Sequence, residues 1–178
     1  MLLRRLAIPY ECVIPAIDET RKDNETPFEL VVRLACEKAG AVSNEKPRAI
    51  VIGSDQIAIF DGQIIGKPGS HQVAVEQLMS FSGQVVEFLT AVSVQHRAGN
   101  FEEQHIDSTR VRFRPLQAEE IERYLETEKP YDCAGAFKAE SLGIALFESI
   151  SSEDPTALIG LPLIRTAAML RSAGLRLP

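Results

Sequence analysis

Arg48-Ala-Ile-Val-Ile-Gly53 is an apolar, β-branched run closed by glycine, followed at once by Ser54-Asp-Gln56. A short run of this kind reads as a buried strand. It places Asp55 where the strand is expected to end. Gln56 to Phe60 alternates weakly, Asp61-Gly62 is a strong hairpin-turn pair, and Gln63 to Gly66 returns as a short strand. A buried strand with an antiparallel return implies a sheet that is not purely parallel.

The flanking sequence supplies helices. Thr26-Pro-Phe-Glu29 combines a capping box with proline at the first helical position. The helix it opens is predicted to run to about Ala41, with Leu30, Val31, Leu34, Ala35 and Lys38 along one side. Ser70 caps a second predicted helix that stops at Gly83. Val85 to Gln95 and Phe101 to Arg114 read as long strands around the turn Arg97-Ala-Gly-Asn100. A helix is predicted over Ala118 to Thr127, ending before Pro130. Ile144 to Ile150 reads as a strand and Leu163 to Ala173 as an amphipathic helix. The fold class is therefore α/β with a mixed sheet, in a single domain over residues 1–178.

Composition narrows the function. The chain has 178 residues, 45% of them hydrophobic and 25% charged, with a net charge of −6. That composition belongs to a folded globular protein, and the acidic balance argues against a nucleic-acid partner. The densest basic stretch, Arg110-Val-Arg-Phe-Arg114, puts its arginines on one strand face, as a solvated face does. Cys12, Cys36 and Cys133 are far apart and form neither a zinc nor a disulfide pattern. His71, His96 and His105 lack ligand spacing. No apolar run is long enough for a membrane span, and Met1-Leu-Leu-Arg-Arg5 opens no signal-peptide core. A cytoplasmic location is expected.

Three segments carry chemistry beyond what a core needs. Ile17-Asp-Glu-Thr20 sets two carboxylates after an apolar stretch. Gly53-Ser-Asp-Gln56 offers a carboxylate able to bind a divalent cation or take a proton from water. Gly66-Lys67-Pro68 holds a lysine on a rigid turn, suited to phosphate oxygens. Each also fits a plain structural role, as a turn, a cap and a solvated lysine. No G-x-x-x-x-G-K-[ST], G-x-G-x-x-G or G-x-S-x-G occurs.

At these segments the sequence resembles the Maf family of nucleoside triphosphate pyrophosphatases. The matching residues are Ile17-Asp-Glu-Thr20, Ala35-Cys-Glu-Lys-Ala39, Ile52-Gly-Ser-Asp-Gln56, Gly66-Lys-Pro68, Ser82-Gly83, Ala134-Gly135 and Gly160-Leu-Pro-Leu163. They occur in family order over essentially the whole chain. The resemblance implies two lobes around a deep cleft, similar to the inosine triphosphatases, and a homodimer. It implies hydrolysis of a nucleoside triphosphate to the monophosphate and pyrophosphate. Asp55 would activate water, Glu19 and Asp55 would hold a divalent metal (magnesium or manganese), and Lys38 and Lys67 would neutralise the triphosphate.

Within that family, Asp55-Gln56 is similar to the 7-methyl-GTP pyrophosphatases, where the dTTP and UTP type carries Asp-Thr. Phe137-Lys-Ala-Glu140 ends in Glu where the dTTP and UTP type usually has Gln. Methylation makes guanine cationic, and Glu140 would meet that charge with charge-assisted hydrogen bonds. On a strand, Lys138 would share its face. Gln56 and Glu140 are thus the expected specificity residues. One departure stands out: the family opens with a strand and a Ser-x-Ser-x-Arg-Arg phosphate loop, and Met1-Leu-Leu3 aligns just after it. Arg4-Arg5 lie too near Tyr10 to be that pair. A dTTP or UTP pyrophosphatase, or a nucleotide-binding regulatory protein with impaired catalysis, are the alternatives.

Overall fold

The structure, a computed structural model, describes residues 2–177. The helices are α1 (Pro27–Glu45), α2 (His71–Phe81), α3 (Ala118–Glu128) and α4 (Leu163–Ser172); the strands are β1 (Val51–Phe60), β2 (Gln63–Ile65), β3 (Val85–His96), β4 (Phe101–Phe113) and β5 (Phe147–Ser151). They form one mixed α/β fold with a five-stranded sheet in the order β2-β1-β3-β4-β5. The described chain packs as two compact units: residues 2–56, 90–107 and 154–177, and residues 57–89 and 108–153. No helix among the described residues is long and apolar enough to cross a membrane.

In the first unit, β1 organises two faces, because alternate strand residues point to opposite sides. Val51, Gly53 and Asp55 face α1. Gly53 is required there: a Cβ would lie 2.3 Å from the Ala35 carbonyl oxygen and 2.6 Å from the Ala39 nitrogen. The predicted capping box forms, with Thr26 accepting from the Glu29 amide and Glu29 accepting from the Thr26 amide. On the other face, Ile50 and Ile52 pack with Val92, Val94, Met169 and Leu170 in an apolar cluster.

Pro162 precedes α4 and offers no side-chain cap. Instead Asp154 accepts from the Ile164 amide at 2.6 Å, and Thr156 Oγ1 accepts from the Leu163 amide at 2.8 Å. Two buried polar residues from the preceding loop thus satisfy the first orphan donors of the helix.

In the second unit, β2 pairs antiparallel with the end of β1, and β5 antiparallel with the end of β4. Ser70 caps α2 as expected. The core is an aromatic stack in which Phe113 lies 5.4 Å from Phe81, 5.7 Å from Phe137 and 5.2 Å from Phe147, all centroid distances of attractive ring pairs. Arg110 and Arg112 are exposed on β4, as a solvated face requires.

Two local expectations fail. Asp55 does not end a strand, since β1 continues through it to Phe60. The strand expected over Ile144 to Ile150 starts only at Phe147, because Leu142–Leu146 forms a 3-10 helix. Before it, 137 and 138 are irregular and 139 and 140 form a turn. Gly135 at φ 77° and Ala136 at φ 58° have just reversed the chain, which extended pairing does not tolerate.

Candidate active site

The first unit brings together Glu19, Lys38 and Asp55. Lys38 lies on the α1 face that packs over Gly53, one turn beyond Leu34 and Ala35. Its ammonium donates to Asp55 Oδ1 at 2.6 Å and reaches Glu19 Oε1 at 2.9 Å. The side chains of Asp55 and Lys38 are 13% and 21% exposed, that of Glu19 56%, so the cluster is closed at the strand and open at the loop. Burial works against the Lys38 charge, yet the hydrogen bonds to Asp55 and Glu19 outweigh it and hold its pKa above the ordinary value. The lysine therefore stays cationic throughout the neutral range.

The loop carrying Glu19 is tied to α1 by residues with no motif of their own. Arg33 grips Glu25 through two bonds, Nε to Oε1 at 2.6 Å and Nη2 to Oε2 at 3.0 Å, and also donates to the Thr20 carbonyl at 3.0 Å. Its Nη1 donates to Glu37, four residues on, at 3.0 Å. Asp18, exposed, turns back on its own loop and accepts from the Thr20 amide at 2.9 Å, while Glu19 reaches Lys38. The Arg33 guanidinium holds the Glu25 carboxyl well below its usual range, at about 2. Only the Arg33–Glu37 spacing was a readable signal.

Asp55's neighbours anchor the opposite face of β1. Ser54 Oγ donates to the carbonyls of Ala91 at 2.7 Å and Gly160 at 2.8 Å. The Gln56 amide donates to Thr90 Oγ1 at 2.8 Å and to the carbonyls of Ala157 at 3.0 Å and Leu158 at 3.2 Å. These bonds satisfy polar groups inside a strand that reads as a strand end from sequence.

Lys67 and Glu140 belong to the second unit. Lys67 is exposed, on a segment fixed at both ends: the Gln77 amide donates to the Gly66 carbonyl at 3.1 Å and the Gly69 amide to the Tyr131 carbonyl at 2.9 Å. Glu140 is exposed on its turn. Lys138 does not neutralise it, because its ammonium donates to the Glu128 carbonyl at 3.0 Å.

A carboxylate such as Asp55 can accept a proton from water, and the Glu19–Asp55 pair offers oxygen ligands to a hard cation. No cluster of three or more His, Cys, Asp or Glu side chains with metal-site geometry occurs among the described residues. The cysteines are poor nucleophiles where they are half-buried: burial, with Asp132 beside it, pushes the Cys133 thiol up to about 11, and burial likewise raises Cys36.

Comparison with known proteins places the whole chain. Residues 1–173 match a family model described as Maf-like protein. A 7-methyl-GTP pyrophosphatase of Polaromonas sp. is 53% identical over 176 residues, spanning 99% of this chain and 80% of the relative. Proteins of the same name from Albidiferax ferrireducens and Xanthomonas axonopodis pv. citri are 50% and 51% identical, covering 98% and 99% of this chain and 88% and 92% of their own lengths. With a match of this extent and relatives about half identical across nearly all of this chain, the chain belongs to the Maf family.

Proposed function

We propose that this chain hydrolyses 7-methyl-GTP to 7-methyl-GMP and pyrophosphate. The observation that carries the reading is the Glu19–Lys38–Asp55 cluster, in a chain about half identical to relatives named for that substrate. Asp55 accepts a proton from water. The water oxygen attacks the α-phosphorus, and the bond from that phosphorus to the bridging oxygen breaks. Pyrophosphate leaves with the electron pair. Lys38, held cationic, and Lys67 offset the charge on the phosphate oxygens.

Glu19 and Asp55 present carboxylate oxygens beside one ammonium. A divalent cation fits this donor set. Magnesium takes one or two carboxylates from a protein and completes its shell with water and substrate phosphates. Glu19 and Asp55 would hold magnesium or manganese, which when bound supplies neutralisation of the phosphate charge. Glu140 meets the cationic ring of the methylated base. Gln56 bears on specificity through the 157–158 backbone that its amide holds.

The test is pyrophosphate release from 7-methyl-GTP, GTP, dTTP and UTP with magnesium or manganese. The highest kcat/KM is expected for 7-methyl-GTP, with activity lost in EDTA. Preferential turnover of dTTP or UTP would assign the chain to the other type. The same reading carries a cytoplasmic homodimer, and a monomer in sedimentation would remove the dimer from it.

A further inference from the structure

We infer that Glu128 is a positioning residue for base recognition, fixing the turn that presents Glu140; this rests on Glu140 being the reader of the methylated base. Glu128 is the last residue of α3, and its carboxylate accepts from residues just past Glu140. Ser141 Oγ donates to Oε2 at 2.8 Å and the Leu142 amide to Oε1 at 3.2 Å. Its carbonyl holds the other side of the turn, accepting from Lys138 Nζ at 3.0 Å. Tyr124, one helical turn earlier, accepts from the Lys138 amide at 3.1 Å. The two sides close tightly: a Cβ on Gly143 would lie 2.4 Å from the Lys138 carbonyl oxygen.

Glu140 is thus flanked on both sides by residues bonded to one half-buried glutamate. The arrangement has two effects. It removes the freedom of an exposed turn before substrate arrives, which lowers the ordering cost of binding. It also draws the Lys138 ammonium onto a helix C-terminus, where a cation is favoured. Among the described residues no hydrogen bond or ion pair engages the Glu140 carboxylate, so its charge remains available to a cationic ring. The network acts on the base, not on the phosphates, so its loss should change discrimination.

The experiment measures kcat/KM for 7-methyl-GTP and for GTP in the native protein, Glu128→Ala, Glu140→Gln and the double variant, with thermal melts of each. Glu128→Ala is expected to lower the ratio of the two efficiencies about five- to tenfold, and the double variant to match Glu140→Gln within about twofold, since the two act as one unit. An equal loss on both substrates in Glu128→Ala overturns the inference and leaves Glu128 a purely structural residue. An unchanged ratio in Glu140→Gln overturns the underlying reading of Glu140, and the role of Glu128 falls with it. If Glu128→Ala gives no cooperative melt, Ser141→Ala takes its place. That exposed change removes one of the bonds and should lower the ratio two- to threefold; no change there would also overturn the inference.

Discussion

Asp55 lies inside a strand, 13% exposed and bonded to an ammonium, whereas Glu140 stands exposed on a turn whose neighbouring lysine is bonded elsewhere. On the proposed reading both carboxylates act on the substrate, and their settings differ as those proposed tasks do. A group that receives a proton must keep one geometry, so it is carried on a strand and braced by a helix packed at main-chain distance. A group that attracts a cation must keep its charge uncompensated, so it is held by its backbone neighbours and not by its own oxygens. The lesson is that fixed position and compensated charge are separable, and this chain supplies the first in both regions but the second in only one.

The comparison breaks most sharply at Asp55. Asp55→Asn should lower kcat about 10²- to 10⁴-fold, the span that a general base contributes, with Tm nearly unchanged. Near-native turnover in a folded variant would take Asp55 out of the mechanism. Next comes Glu140→Gln, expected to lower kcat/KM for 7-methyl-GTP about ten- to a hundredfold and GTP less, since a hydrogen bond to a charged group is worth roughly 1.5–3 kcal/mol. Equal losses on the two nucleotides would mean that its charge is not read.

Gly53→Ala tests the bracing. Forcing a methyl against the α1 backbone should cost about 1–3 kcal/mol, a fall in Tm of about 2–12 °C for a chain of this size. Loss of activity should accompany it as Lys38 is pushed from Asp55. An unchanged Tm would show that α1 is free to shift. The smallest effect is in acid. The folded pKa of Glu25 is lowered from 4.5 to about 2, so the stability it contributes is full above about 4.5 and is lost as pH falls towards 2. Melts between pH 6 and 2 should therefore show a shallower acid decline in Glu25→Gln than in the native protein; parallel declines would exclude the Arg33 pair as its source.

Much of the fold is legible where local chemistry decides it. The Thr26 box, the Asp61-Gly62 turn and the Ser70 cap are short-range signals, and all three formed as read. Asp55 was found but misplaced, because a strand that carries Ser-Asp-Gln through its centre needs carbonyls from residues 91, 157, 158 and 160 to satisfy it, partners that sequence order hides. The caps of α4 were missed for the same reason: Pro162 signals none, and the acceptors arrive from residues 154 and 156. Glu25 gave no sign at all, since its partner lies eight residues on, two turns along α1. The positive φ of Ala136, just before the turn that carries Glu140, has no signal in an alanine that sequence reading could use.

The two nearest obstacles over Gly53 are main-chain atoms, which every amino acid carries. No exchange of side chains at positions 35 or 39 removes a carbonyl oxygen or a backbone nitrogen. Sequence drift can refill the surrounding core while the spacing of helix and strand stays the same. The reach from Lys38 to Asp55 is therefore an inherited constant of this scaffold. The turn of the second unit is closed in the same way, Gly143 against the Lys138 main chain, so laboratory evolution of a new substrate range has to work through the identity of the side chains that these backbones carry.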